Sequence, residues 1–155
     1  MSNDLSKSPV ARFTDKWQSL ARVYEEYAKS KGLTYMSFTV LEIIYNNQDC
    51  CTQKLICEQS LYTKQSVNSI VKVFWEQGYV ELKEEKADRR NKRILLTEMG
   101  RLYTDDIIGK CSTIEQEAME HLSNEQWEQL IEMAETFGKH FMAGITGLIK
   151  EAEED

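Results

Sequence analysis

Two stretches hold the side chains best suited to chemistry. In the first, Thr63, Lys64, Gln65, Ser66, Asn68, Ser69 and Lys72 set hydroxyls, amides and ammonium groups at spacings that suit the first turns and outer face of one helix. Gln and Asn amides pair bidentately with adenine, and Lys reaches guanine or a phosphate. In the second, Lys86 to Arg93, five basic residues surround a single acid, Asp88. Arginine on a hairpin tip is drawn into the narrow, more negative minor groove of A·T tracts. A polar helix face alone is what any solvated helix shows. The basic loop just after it turns the reading toward duplex DNA.

Other chemistry finds little material. The cysteines are Cys50, Cys51, Cys57 and Cys111, and the imidazoles are His121 and His140. The cysteine spacing is not CxxC, adjacent cysteines chelate poorly, and no fourth ligand presents itself, so no metal site is expected. Reduced, mostly buried thiols are the first reading, and redox sensing by Cys50, Cys51 or Cys57 the second. There is no Ser/His/Asp set and no glycine-rich phosphate loop. The expectation is a protein that is not an enzyme, has no catalytic residues and needs no cofactor.

The formal net charge of −7 argues at first against nucleic acid. Its distribution reverses that argument. Residues 1–51 hold six basic and six acidic residues, residues 52–101 ten and seven, and residues 102–155 three and thirteen. The basic excess is confined to the middle third, and a local basic face binds phosphate even on an acidic molecule. No apolar run approaches the ~20 residues a membrane span needs. The first nine residues are polar, without the apolar core of a signal peptide. A cytoplasmic protein with no membrane partner is expected.

The elements that must position these residues follow from periodicity. Val10, Phe13, Trp17, Leu20, Tyr24 and Tyr27 recur at alternating steps of three and four, one stripe of a first helix that Gly32 ends. Thr34 offers a cap for a second helix carrying Phe38, Leu41, Ile44 and Tyr45, and Thr52 for a short third. After a turn at Ser60 to Tyr62, Thr63 or Ser66 caps a fourth helix that buries Val67, Ile70, Val71 and Phe74 and stops at Gly78. The period then changes. Residues 79–83 and 93–96 read as two strands around the charged loop, a hairpin. Thr97 opens another helix, with Leu102, Tyr103, Ile107, Cys111 and Ile114 assigned to one face. Ser123 and Gln126 form a capping box before a last helix striped by Trp127, Leu130, Ala134, Phe137, Phe141, Ile145 and Leu148. The tail from Glu151 to Asp155 is expected to be disordered.

The predicted fold is mainly α with a small β-hairpin wing: a winged helix-turn-helix. Such a motif sets the N-terminal residues of its second helix against base edges in the major groove. The predicted division is a dimerisation helix at 1–33, a DNA-binding domain at 34–100, and C-terminal dimerisation helices with an acidic tail at 101–155. The large apolar faces at both ends have no other element to cover them, which implies packing against each other and a second copy.

Residues 55–102 resemble the multiple antibiotic resistance regulator (MarR) family. The resemblance rests on Lys64-Gln65-Ser66-Val67, Glu76-Gln77-Gly78-Tyr79-Val80, Asp88-Arg89-Arg90 and Leu95-Leu96-Thr97-Glu98-Met99-Gly100. Asp-x-Arg followed at this distance by Leu-Thr-x-x-Gly is specific in combination, and the flanking helices extend the likeness over residues 8–150. It implies a homodimer with intertwined terminal helices and a wing in the minor groove, with Arg90 as the motif arginine and Asp88 bracing the wing. Arg89 and Lys92 join the DNA-contact set. It also implies modulation by small phenolic or lipophilic ligands, by oxidation or by metal. Ser69 stands where many members carry arginine, and Trp75 where a charge is common. Neither the cysteine of peroxide-sensing members nor the histidine set of zinc-sensing members is present, which leaves a small molecule or no effector. Tyr24, Tyr27, Phe38 and Tyr45 are the candidate ligand-lining residues, at the junction of the dimer helices and the winged domain. The expected function is a sequence-specific regulator, a repressor on an inverted repeat. The alternative is a non-specific or architectural DNA binder.

Overall fold

The computed structural model describes residues 8–84 and 92–154. The element order is α1 (Pro9–Ser30), α2 (Tyr35–Asn46), α3 (Gln53–Ser60), α4 (Lys64–Glu76), β1 (Val80–Glu84), β2 (Lys92–Leu96), α5 (Glu98–Thr104), a π-helical turn (Asp105–Gly109), α6 (Lys110–Met119) and α7 (Asn124–Glu154). The chain divides into two compact units, residues 1–111 and 112–155.

Threonine caps set the starts of four helices in the first unit. The side chains of Thr34, Thr52, Thr63 and Thr97 accept from the backbone N–H three residues on, at Ser37, Leu55, Ser66 and Gly100. Each satisfies one of the donors that a helix start leaves unpaired. The stops follow chain chirality. Gly32 and Gly78 take positive φ after α1 and α4. Leu61 takes φ 59° after α3, a left-handed stop at a non-glycine residue that the sequence does not advertise.

β1 and β2 pair antiparallel, with Val80 opposite Leu96 and Glu84 opposite Lys92. An ion pair of 3.6 Å joins Lys92 to Glu84 at the open end of this ladder. A further bridge pairs Thr52 with Arg93, and Ile94 N–H donates to Cys51 O at 2.9 Å, tying the α3 entry to the hairpin. The core of the first unit collects Ala28 of α1; Phe38, Val40, Leu41 and Ile44 of α2; Ile56; Val67, Val71 and Phe74 of α4; Val80, Ile94 and Leu96 of the hairpin; and Ile107 and Ile108. Ile70 is only half-buried at its edge.

Two expectations are corrected. The helix after Thr97 does not carry one continuous stripe. The π turn inserts a residue into the ladder, so Thr104, Ile107 and Ile108 are buried while Leu102 and Ile114 stay exposed. Residues 151–154 are not irregular either, since α7 continues to Glu154, and Asp155 lies outside the described residues.

In the second unit, the capping box forms as read. Ser123 N–H donates to Gln126 Oε1 at 2.8 Å, and Gln126 N–H donates to Ser123 Oγ at 3.3 Å. Trp127 Nε1 donates to Met119 O at 2.9 Å across the turn. Along α7, Leu130, Phe137, Phe141, Ile145 and Leu148 are exposed, with Phe137 and Phe141 stacked at 5.7 Å.

Candidate nucleic-acid interface

The site is built on the start of α4. Thr63 ends the left-handed turn from α3 and caps α4, its Oγ1 lying 2.9 Å from Ser66 Oγ. Val67, Val71 and Phe74 anchor the inner face, so Lys64, Gln65, Asn68, Ser69 and Lys72 are turned outward and exposed. These side chains differ in how far they are committed. Gln53 Nε2 of α3 donates to Asn68 Oδ1 at 2.9 Å, fixing that amide's orientation and leaving its NH₂ as donor. Ser69 Oγ donates to Gln65 O at 3.0 Å, within its own helix. Lys72 reaches Glu76 at 3.6 Å. That pair is solvent-exposed and weak, so the ammonium is readily surrendered to a phosphate.

Between α3, α4 and the hairpin lies a cleft of about 620 Å³ lined by Gln53, Lys54, Cys57, Lys64, Asn68, Leu82, Lys92 and Ile94. Three ammonium groups therefore share one concavity with the outer face of α4. Gln53 and Lys54 carry no chemical pattern of their own in the sequence. Their only sequence signal is the Thr52 cap, which places them in the first turn of α3. Arg89 and Arg90, with Asp88, fall at 85–91, outside the described residues. Lys92 is described, exposed on the first position of β2.

The stretch Leu96-Thr97-Glu98-Met99-Gly100 joins the hairpin to the next helix. Thr97 Oγ1 donates to Gly78 O at 2.6 Å and accepts from Gly100 N–H at 2.9 Å, so one hydroxyl ties the end of α4 to the start of α5. A Cβ on Gly100 would lie 1.9 Å from Tyr79 O. Only glycine lets the two backbones approach this closely.

The four rings named as ligand-lining also have defined places. Phe38 is buried, with Tyr24 at 6.3 Å and Tyr27 edge-on at 6.0 Å between ring centroids. Tyr27 Oη donates to Ile107 O at 2.9 Å. Tyr45 sits at the other end of α2, against the π turn. Burial first, then its hydrogen bond and charge repulsion from Asp105, raise its phenol above the ordinary tyrosine range. The π turn is thus held by two tyrosines. Asp106 extends the anchoring, with Lys31 at 3.0 Å and Lys110 one turn on, and hydrogen bonds from Lys110 and Lys31 lower its carboxyl below the usual range.

Of the cysteines, Cys51 is buried, Cys50 exposed, and Cys57 and Cys111 partly buried. Burial, and secondarily Cys50, pushes the Cys51 thiol up to about 12, so it is a neutral core group at physiological pH. Among the described residues no three metal-binding side chains converge. Nor is any described helix long and apolar enough to cross a membrane.

A capped recognition helix, a short helix crossing behind it and a two-stranded wing define a winged helix-turn-helix protein. Residues 31–91 match the model of the MarR family. The HTH-type transcriptional regulator SarZ of Staphylococcus epidermidis is 28% identical over 135 residues, covering 86% of this chain and 88% of SarZ. Among solved structures, a MarR family regulator from Neisseria meningitidis superposes with a TM-score of 0.74 at 21% identity, over 90% of this chain and 97% of that one. CouR from Rhodococcus jostii, bound to p-coumaroyl-CoA, superposes with a TM-score of 0.69 at 20% identity, over 88% and 95%. Residues 31–91 thus match the MarR family model, and the chain as a whole is similar to HTH-type transcriptional regulators and shares the fold of MarR family regulators.

Proposed function

We propose that this protein is a homodimeric, sequence-specific repressor that reads an inverted-repeat operator. The observation that carries the reading is the start of α4, where Thr63, Lys64, Gln65, Ser66, Asn68, Ser69 and Lys72 form a polar face over an apolar anchor. The family's DNA-binding role and the lysine-lined cleft beside that face support it. Two α4 helices in a twofold dimer meet half-sites about 34–36 Å apart, one helical turn. Arg90, with Arg89 and Lys92, contacts the minor groove and backbone from the wing. The apolar faces of α1 and α7 supply the dimer surface. A bound dimer represses by occluding the promoter.

A small lipophilic or phenolic effector modulates binding. CouR with its bound p-coumaroyl-CoA supports that class of regulation. The rings of Tyr24, Tyr27, Phe38 and Tyr45 are its proposed site, because displacing Tyr27 or Tyr45 releases the π turn that follows the DNA-binding elements. A ligand acts only through a difference in affinity between the two conformations.

The test is a salt series with duplex DNA, read by fluorescence anisotropy. Arg90→Ala is expected to weaken binding at every salt concentration and to lower the slope of log K against log[salt] by about one. An unchanged affinity and slope would remove Arg90 from the interface.

A further inference from the structure

One residue of the turn that leads into α4 has no explanation in the fold. Leu61 stops α3 at φ 59° and ψ 18°. Among the described residues it is the one non-glycine residue with positive φ. An L side chain is disfavoured there because its Cβ crowds the backbone, and glycine or asparagine is the usual occupant. No burial compensates. Leu61 is 88% exposed, the highest value for a large apolar side chain among the described residues. A strained backbone and a leucine in water coincide at one position, and both work against stability. Such outliers concentrate where function holds them in place. We infer that Leu61 is a specificity-determining DNA contact, an apolar side chain that meets the 5-methyl group of a thymine in each half-site.

The turn around Leu61 is pinned on both sides. Leu61 N–H donates to Cys57 O at 3.0 Å. Before it, Ser60 Oγ donates to Ile56 O at 2.6 Å and accepts from Tyr62 N–H at 3.2 Å. After it, Tyr62 Oη donates to Thr39 Oγ1 of α2 at 3.4 Å, and Thr63 caps α4. Ser60 and Tyr62 are both half-buried, so the turn directs its neighbours inward and leaves Leu61 alone outside. A backbone fixed in advance has less freedom to lose when a partner arrives.

The side chain sets the chemistry of its partner. Leucine neither donates nor accepts a hydrogen bond, so a phosphate or a polar base edge set against it loses water without replacement. Leu61 lies two residues before the Thr63 cap, at the end of α4 that a helix-turn-helix directs into the major groove. The apolar group that unmodified DNA offers in that groove is the 5-methyl of thymine, which apolar side chains read by contact. Thr63, Lys64 and Gln65, next along the chain, are all polar. Leu61 therefore adds an apolar reading element to a hydrogen-bonding face. This placement rests on the reading of α4 as the recognition helix.

The experiment selects duplexes from a random pool with the full chain and with Leu61→Gly. Anisotropy then compares the parent's selected duplex with copies carrying uracil in place of single thymines. The parent is expected to enrich a thymine in each half-site that Leu61→Gly no longer prefers. Uracil there is expected to weaken the parent by about fourfold per half-site, the scale of one buried methyl group, and to leave Leu61→Gly unchanged. The melting temperature of Leu61→Gly is expected to equal or exceed the parent's, since glycine relieves the positive φ. Leu61→Asn, polar but tolerant of that conformation, is expected to lose the same thymine preference. A clear fall in melting temperature for both variants assigns Leu61 to the fold and overturns the proposal. One motif shared by parent and variants overturns it too, as does uracil tolerated at every thymine. In those cases the recognition-helix reading stands. A parent that enriches no sequence refutes that reading and the thymine contact together.

Discussion

Asn68 shows what a single residue can conceal. Its amide suits adenine, and the sequence marks it for that reason, but Gln53 already holds its oxygen from the neighbouring helix. A contact between side chains 15 positions apart has no local signature, so Gln53 was illegible as the partner of Asn68. Caps, by contrast, are local chemistry. Thr34, Thr52, Thr63, Thr97 and Ser123 were readable because a short hydroxyl beside an apolar-periodic run has one favoured use. Cys51 carries a prediction at this scale. Its thiol, raised by burial from about 9 to about 12, keeps its proton in the folded state where the unfolded chain loses it. Stability from this group is therefore full below pH about 9 and declines toward pH about 12. Thermal melts across that window are expected to fall more steeply for the parent than for Cys51→Val. Parallel curves would show that Cys51 does not couple to folding.

At the scale of elements, periodicity and caps located α1 to α4, both strands and α7, and they merged α5, the π turn and α6 into one helix where the pitch changes. Ile107 and Cys111 fit an ordinary helical step, so the sequence reads straight through residues 105–109, where the backbone forms a π turn. The neighbours of that turn are tertiary: Tyr27 of α1 donates to Ile107 O, and Tyr45 of α2 lies beside Gly109 and Asp105. The Leu-Thr-x-x-Gly stretch was recognised by resemblance, and the structure gives its physical reason. Leu96 is core, Thr97 ties α4 to α5, and Gly100 permits the approach to Tyr79. Gly100→Ala is accordingly expected to destabilise the protein by about 3 kcal/mol or more, because backbone rather than a movable side chain must yield. Chemical denaturation measures this. A loss under about 1 kcal/mol, the scale of an ordinary surface change, would contradict the close-packing account.

On the scale of the whole molecule, the segregation of charge and of apolar surface was legible, and the apolar faces at both ends of the chain point to the second copy proposed above as their cover. Trp17 is 64% exposed on α1 and Phe141 57% on α7, within two long faces of the same kind. Each face by itself exposes more large apolar side chains than a solvated helix needs, which marks an interaction surface. A homodimer accounts for it, since an isologous interface uses the same surface on both copies. Light scattering is expected to give twice the 18.1 kDa chain mass. Phe141→Glu is expected to shift the protein toward monomer and lower its melting temperature. A parent that runs as a monomer at micromolar concentration would leave those faces without the proposed partner.

We propose that these elements together read DNA sequence as a dimer. The most direct measurement is an in vitro selection of the purified protein against a random duplex pool at near-physiological salt. The account predicts enrichment of an inverted repeat whose half-sites lie about one helical turn apart. Retention of DNA with no enriched sequence would contradict it and identify a non-specific, architectural binder instead.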